Sequence, residues 1–221
     1  MKILDIPRSG SYQGITSSRN RNGQYVRTRA IPVQPRSAAQ LLQRSRQGSN
    51  AAEWRNLTVI QREGWLSLGL SITRTDALGQ SYTLTGSQAF ASVNNIRLLC
   101  SQAIVLDAPA SVTPLAPVSV TPTATGGGSP VLSVAYTPTP AGASNHVIVR
   151  MSPQRSAGRS FEGDFRVMAV SAANAASPAN VLAAYQARFG TPVVGKKIFM
   201  RVSFAALGFE SPSVLTSIIV S

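Results

Sequence analysis

Cysteine, histidine and acidic residues are all scarce in this sequence. One cysteine (Cys100) and one histidine (His146) among 221 residues exclude a disulfide framework, a Cys/His zinc site and any mechanism that needs two histidines. Charged residues are only 13% and aromatics 6%, low for a compact soluble enzyme, so the surface rests on Ser, Thr, Asn and Gln. No stretch approaches the roughly 20 apolar residues that a membrane span needs. The opening MKILDIPRSG has no apolar region followed by a small-residue cleavage site, so no secretory signal is expected. Signatures of chemistry are missing as well. Gly126-Gly127-Gly128 lacks the Gly-Lys-Ser/Thr of a phosphate loop, Gly195-Lys196-Lys197 opens a strand, and no G-x-S-x-G elbow occurs. No cofactor, metal or catalytic residue is assigned.

What is present is a usable core and a segregated charge. Hydrophobic residues make up 43%, enough to bury a core, and the length suits one large domain or two small ones. Basic residues number 21 against 8 acids, a formal charge of +13. In the first 50 residues Lys2, Arg8, Arg19, Arg21, Arg27, Arg29, Arg36, Arg44 and Arg46 face only Asp5, a net +8. The stretch from Ser9 to Pro35 has almost no apolar periodicity, which predicts an extended basic arm over residues 1–36 with one short strand near Gln24–Ile31.

A small helical domain is expected over residues 37–106. Ser37 caps a helix through Ala38–Gln47 that Gly48 ends, and Asn50 caps a short helix carrying Trp54. Thr58 and Gln61 form a capping box for a third helix through Trp65 and Leu68, and Thr85 with Gln88 repeats it. Ala89, Val93, Ile96 and Cys100 then fall on one apolar stripe, with Cys100 a small buried hydrophobe. Residues 107–130, rich in Pro, Thr and Gly, read as a linker and first strand. Residues 131–221 read as an antiparallel β-sandwich with strands Val131–Tyr136, His146–Met151, Phe161–Val170, Lys196–Phe204 and Val214–Val220. One helix interrupts it, with Ser177 as N-cap, Pro178 at N1, a body through Phe189, and Gly190 at its end.

Trp54, Leu57-Thr58, Gln61-Arg62 and Trp65, followed by Leu84-Thr85-Gly86, Phe90 and Asn94, form a pattern of their own. With Pro35-Arg36-Ser37 behind a basic arm, it resembles uncharacterised phage and prophage-type structural proteins. The C-terminal half resembles a fibronectin type III or immunoglobulin-like module. The resemblance implies a virion protein assembled in a host cytoplasm. It brings no catalytic residues.

Several readings stay open. Eighteen of the 21 basic residues are Arg, which suits bidentate contacts to phosphate or carboxylate. The arm arginines Arg8, Arg19, Arg21, Arg27, Arg29, Arg36, Arg44 and Arg46 can run along nucleic acid, dock on an acidic protein or clamp a neighbouring copy. Tyr12 and Tyr25 are too few for a stacking platform. Trp54, Leu57, Trp65 and Phe90 anchor a helical core or form an interface hot spot. Glu162 and Asp164 alternate on an expected strand, a face that balances Arg159 or Arg166 rather than a glycosidase pair. His146 is expected at a surface or edge.

The expected fold is α+β and multidomain: basic arm, helical domain, and C-terminal sandwich with one inserted helix. The expected function is a non-enzymatic capsid- or tail-associated protein of decoration type, attached to other virion proteins or copies of itself, with no membrane partner. A packaging-associated nucleic-acid-binding protein using the arm is the alternative. A glycan-binding adhesin module in the sandwich is a second one.

Overall fold

The computed structural model describes residues 9–20, 23–31, 33–76, 78–110, 114 and 116–221. The chain divides into two units, Met1–Leu42 and Gln43–Ser221.

In the first unit, β1 (Gly10–Tyr12), β2 (Ile15–Asn20) and β3 (Gly23–Thr28) pair antiparallel in the order β1-β2-β3. The expected single strand near Gln24–Ile31 is thus the last of three. The first two are short and rich in Ser and Thr, so no apolar alternation marks them in the sequence. None of the described residues of this unit is buried.

The helical part follows. α1 (Ala38–Asn56) begins behind Ser37, whose Oγ accepts the Gln40 N–H at 3.4 Å. It runs on without a break through Gly48 and Asn50, so the expected division into two helices is corrected. An exposed Gly costs a helix only about 1 kcal/mol, and Asn50 is buried with its Nδ2 donating to Asn95 Oδ1 at 2.9 Å. α2 (Val59–Ser71) follows, then β4 (Thr73–Thr75), β5 (Ser81–Thr83) and α3 (Gly86–Leu99). Both expected capping boxes are complete, at Thr58/Gln61 and Thr85/Gln88. α2 approaches the start of α3 closely at Gly69, where a Cβ would stand 2.6 Å from the Leu84 carbonyl oxygen.

The remaining elements are β6 (Ser119–Thr125), β7 (Val131–Thr137), β8 (His146–Met151), β9 (Arg155–Ser156), β10 (Arg166–Val170), β11 (Ala179–Asn180), α4 (Leu182–Phe189), β12 (Lys196–Ala206), β13 (Phe209–Glu210) and β14 (Val214–Ile219). They build two antiparallel sheets. One has the order β11-β7-β6. The other runs β10-β8-β12-β13, with β14 and β9 also paired to β12. Alternate residues of each face a common core: Leu132, Val134 and Tyr136 from β7, Val147, Val149 and Met151 from β8, and Ile198, Met200, Val202 and Phe204 from β12. α4 closes one side, with Tyr185 fully buried and its hydroxyl donating to Ser152 O at 3.2 Å.

Three expectations in this half are corrected. The helix does not start at Ser177-Pro178, because Ala179 and Asn180 pair with β7 and the Leu182 N–H donates to Asn180 Oδ1. Residues 161–165 are not strand. Glu162 turns inward there, only 4% exposed, while Asp164 pairs outward with Arg166 at 2.9 Å, so the two acids do not share a face. His146 is buried rather than at the surface, its Nδ1 bonded to Ser171 O at 2.9 Å and its Nε2 to Gln102 Nε2 at 3.0 Å.

Helices and sheets of the second unit share apolar contacts. Ile96, Leu99 and Cys100 pack on Ile148, Val167, Val170 and Ala205 of the six-stranded sheet. Phe209 reaches into the helical core. It is delivered by the β12–β13 hairpin, whose central Leu207 (φ 51°) and Gly208 (φ 89°) form a left-handed two-residue turn. At Gly208 a Cβ would stand 2.4 Å from Val93 Cγ1 and 2.8 Å from Val93 O. Only a glycine fits between the turn and α3.

Candidate functional site

Charge and exposed aromatic or aliphatic side chains define the candidate surfaces, and their arrangement follows strand register. In the N-terminal sheet Tyr25 stands opposite Ser18 and Arg27 opposite Thr16, while Arg19 is opposite Gln24. Side chains alternate along a strand, so Tyr25 and Arg27 share one face and Arg19 lies on the other, with Ile15 and Val26. Arg19, Arg27, Arg29 and Arg36 are exposed. Arg8 and Arg21 lie outside the described residues. The exposed Arg44 and half-buried Arg46 sit on α1 in the second unit, apart from the sheet in sequence. The other face of the sheet carries exposed Tyr12 and Ile15. The two arm arginines that lie within described strands, Arg19 and Arg27, are thus on opposite faces of the sheet.

Trp54, Leu57, Trp65 and Phe90 do come together. Trp65 and Phe90 meet edge to face with centroids 5.1 Å apart, and Trp54 lies 5.6 Å from Phe90. Trp65, Leu57 and Phe90 are buried, and Trp65 Nε1 donates to Leu106 O at 2.7 Å. Asn94 binds Val105 from both ends, Nδ2 to the carbonyl at 3.1 Å and Oδ1 from the N–H at 2.9 Å, which straps residues 104–106 onto the helices. Trp54 is only half-buried. With Gln47, Ala51, Ser87 and Ala91 it lines an apolar groove of about 320 Å³ between α1 and α3. Arg62 stacks over its ring at 5.9 Å and donates to Arg55 O at 2.8 Å.

The sequence did not disclose a third surface, the part of the six-stranded sheet's outer face that the end of α3 leaves uncovered. Glu210 of β13 takes both guanidinium nitrogens of Arg150, one at 3.0 Å, and a hydrogen bond from Ser203. Burial works to raise its pKa. The bonds from Arg150 and Ser203 and the charges of Arg150 and Arg201 outweigh burial and leave the carboxyl below its ordinary range. Glu162 accepts from Arg155 Nε and from the N–H groups of Gly163 and Asp164 at 2.9 and 3.0 Å, with Arg159 at 3.7 Å. The Arg155 bond first, then the Asp164 N–H, hold its pKa down at about 2 against the opposing effect of burial. Burial raises the pKa of the Cys100 thiol, which Glu210 raises further against Arg150 and Arg97. A cation paired across strands carries no spacing signal in the sequence, so only the fold brings these groups together.

Among the described residues no group of three His, Cys, Asp or Glu side chains is placed to hold a metal, and no helix is long and apolar enough to cross a membrane. No protein-family model matches the chain, and no curated protein matches it significantly.

Proposed function

We propose that this chain is a non-enzymatic structural protein of a virus particle, capsid- or tail-associated, attached to its neighbours through the N-terminal sheet and the helices. One observation carries the reading: three paired strands, residues 10–28, contain no buried residue among those described, yet expose Tyr12 and Ile15 beside their arginines. So small a sheet is not stable in water without something packed on a face. A covering partner supplies that face, and Arg19 and Arg27 on opposite sides suit a clasp between subunits better than a one-sided phosphate track. The two packed sheets of residues 119–219 then act as a fibronectin III- or immunoglobulin-like module that projects from the lattice or fills it.

The alternative, nucleic-acid binding, is favoured by Tyr25 and Arg27 sharing a face. Light scattering separates the two. Nuclease-treated full chain is compared with an Arg19/Arg27/Arg29→Ala variant and a Tyr12/Ile15→Ser variant, in low and high salt, with and without DNA. The structural reading expects salt-sensitive assemblies without nucleic acid that both variants lose. A monomer that grows only with DNA, and only through the arginines, overturns it.

A further inference from the structure

β12 carries two cations on its outer face, Lys197 and Arg201, and neither has a carboxylate within ion-pair distance among the described residues. Register explains why. Lys197 stands opposite Arg155 of β9, and Arg201 opposite Arg150 of β8. The two acids of this face are taken by those neighbours, Glu210 by Arg150 and Glu162 by Arg155 and Arg159. The β12 cations are steadied by aromatic rings instead. Lys197 Nζ lies 5.1 Å from the Phe199 centroid and donates to Arg159 O at 2.9 Å. The Arg201 guanidinium lies 4.6 Å from the Phe165 centroid, and its buried Nε has no hydrogen-bond partner.

β14 supplies the adjoining column. Ile219 stands opposite Lys197, Ser217 opposite Phe199 and Leu215 opposite Arg201. Ile219 is 50% exposed and Leu215 52%. Directly paired residues share a face, so this face repeats a half-buried cation beside an exposed aliphatic side chain at a spacing of about 13 Å, four residues of strand, with Phe199 buried between the two cations.

We propose that this face docks an acidic segment of a different protein, one whose carboxylates meet Lys197 and Arg201 and whose aliphatic side chains cover Leu215 and Ile219. Charge complementarity sets the sign of the partner. The aliphatic column decides against a single nucleic-acid strand, which is bound by stacking on aromatic rings. A second copy of this chain is also a poor fit. Its described acids are few: Glu162, Asp164 and Glu210 are paired with arginines, Asp76 accepts from the Leu78 and Gln80 N–H groups, Asp107 accepts from Gln61, and Glu53 and Glu63 lie on different helices. The surface lies far in sequence from the N-terminal sheet and does not depend on that sheet's role.

The test is fluorescence anisotropy on the full chain with three labelled probes: a twelve-residue peptide of Glu, Leu and Ser, hexaglutamate, and a twelve-nucleotide oligothymidylate. The mixed peptide is expected to bind at low salt. Lys197→Ala with Arg201→Ala weakens it about tenfold, as loss of two partly desolvated charge pairs requires. Leu215→Ser with Ile219→Ser also weakens it, and Arg19/Arg27/Arg29→Ala leaves it unchanged. Lys197→Gln alone serves where the double variant fails to fold. No binding of the mixed peptide, binding indifferent to the β12 and β14 substitutions, hexaglutamate bound equally well, or tighter binding of oligothymidylate through Lys197 and Arg201 each overturns the proposal.

Discussion

Replacing Gly208 with alanine tests whether helices and sheets form one body. Gly208 has a φ of 89°, a left-handed conformation in which a Cβ costs about 1–2 kcal/mol. The same Cβ would also press on Val93 of α3 at 2.4 Å and on its carbonyl oxygen at 2.8 Å. Helix backbone cannot move aside as a flexible side chain can, so the contact adds an overpacking cost of about 1–3 kcal/mol. The expected loss is about 2–5 kcal/mol, much of the stability of an ordinary domain. Gly127→Ala is the control: its φ is 78° and nothing lies within 4 Å of its Cβ, so it reports the backbone cost alone. Urea unfolding of both variants, read at equal slope, gives the difference. Losses within about 0.5 kcal/mol of each other, inside the usual scatter of such measurements, refute the docking of the β12–β13 hairpin on α3.

Other substitutions probe the same structure. Leu207→Asn is expected to stabilise the chain by about 0.5–1 kcal/mol in thermal melts, because Asn tolerates the left-handed turn that Leu207 occupies at φ 51°. Trp65→Phe removes the bond to Leu106 O and part of a fully buried ring, and should cost about 2 kcal/mol or more in urea unfolding. Glu162 gives a pH signature. Its folded pKa of about 2 lies below the ordinary 4.5, so its contribution is fully present above pH 4.5 and is lost as pH falls from there toward 2. Melting temperature measured over that range should fall less steeply in Glu162→Gln, and parallel curves would contradict the pairing with Arg155.

Local signals were legible where one short segment satisfies itself. Thr58/Gln61 and Thr85/Gln88 each need only four residues to form a capping box, and both are formed. β8 spans His146–Met151 as its apolar run implies, and β7 and β12 extend the expected runs by one and two residues. The helix stripe was legible too, but not its destination: Ala89 and Val93 face the helical core, whereas Ile96 and Cys100 face the sheet. Where a distant partner decides, the sequence misled. Asn50 reads as a helix cap until Asn95 is placed beside it, and Glu162 reads as an exposed strand residue until Arg155 meets it.

The candidate surfaces follow the same rule, which bears on how the charge is used. The basic excess of the first 50 residues is visible by counting, but that Arg19 and Arg27 stand on opposite sheet faces appears only with the β2–β3 register. Counting shows the excess on β12 too, since Lys196, Lys197 and Arg201 stand there with no acid, but which of them keep no carboxylate partner appears only with the register. It arises because each nearby acid is bound by an arginine on another strand, so the cations left over are those of the strand that pairs with β14 and its exposed aliphatics. An unpaired cation that is held on a ring has little rotamer freedom left to lose on binding. Lys197 and Arg201 are therefore better prepared to receive carboxylates than the exposed arginines of the N-terminal segment. On the reading proposed above, the N-terminal sheet and this face are two separable contacts, one removed by substitutions on β2 and β3 and the other by substitutions on β12 and β14.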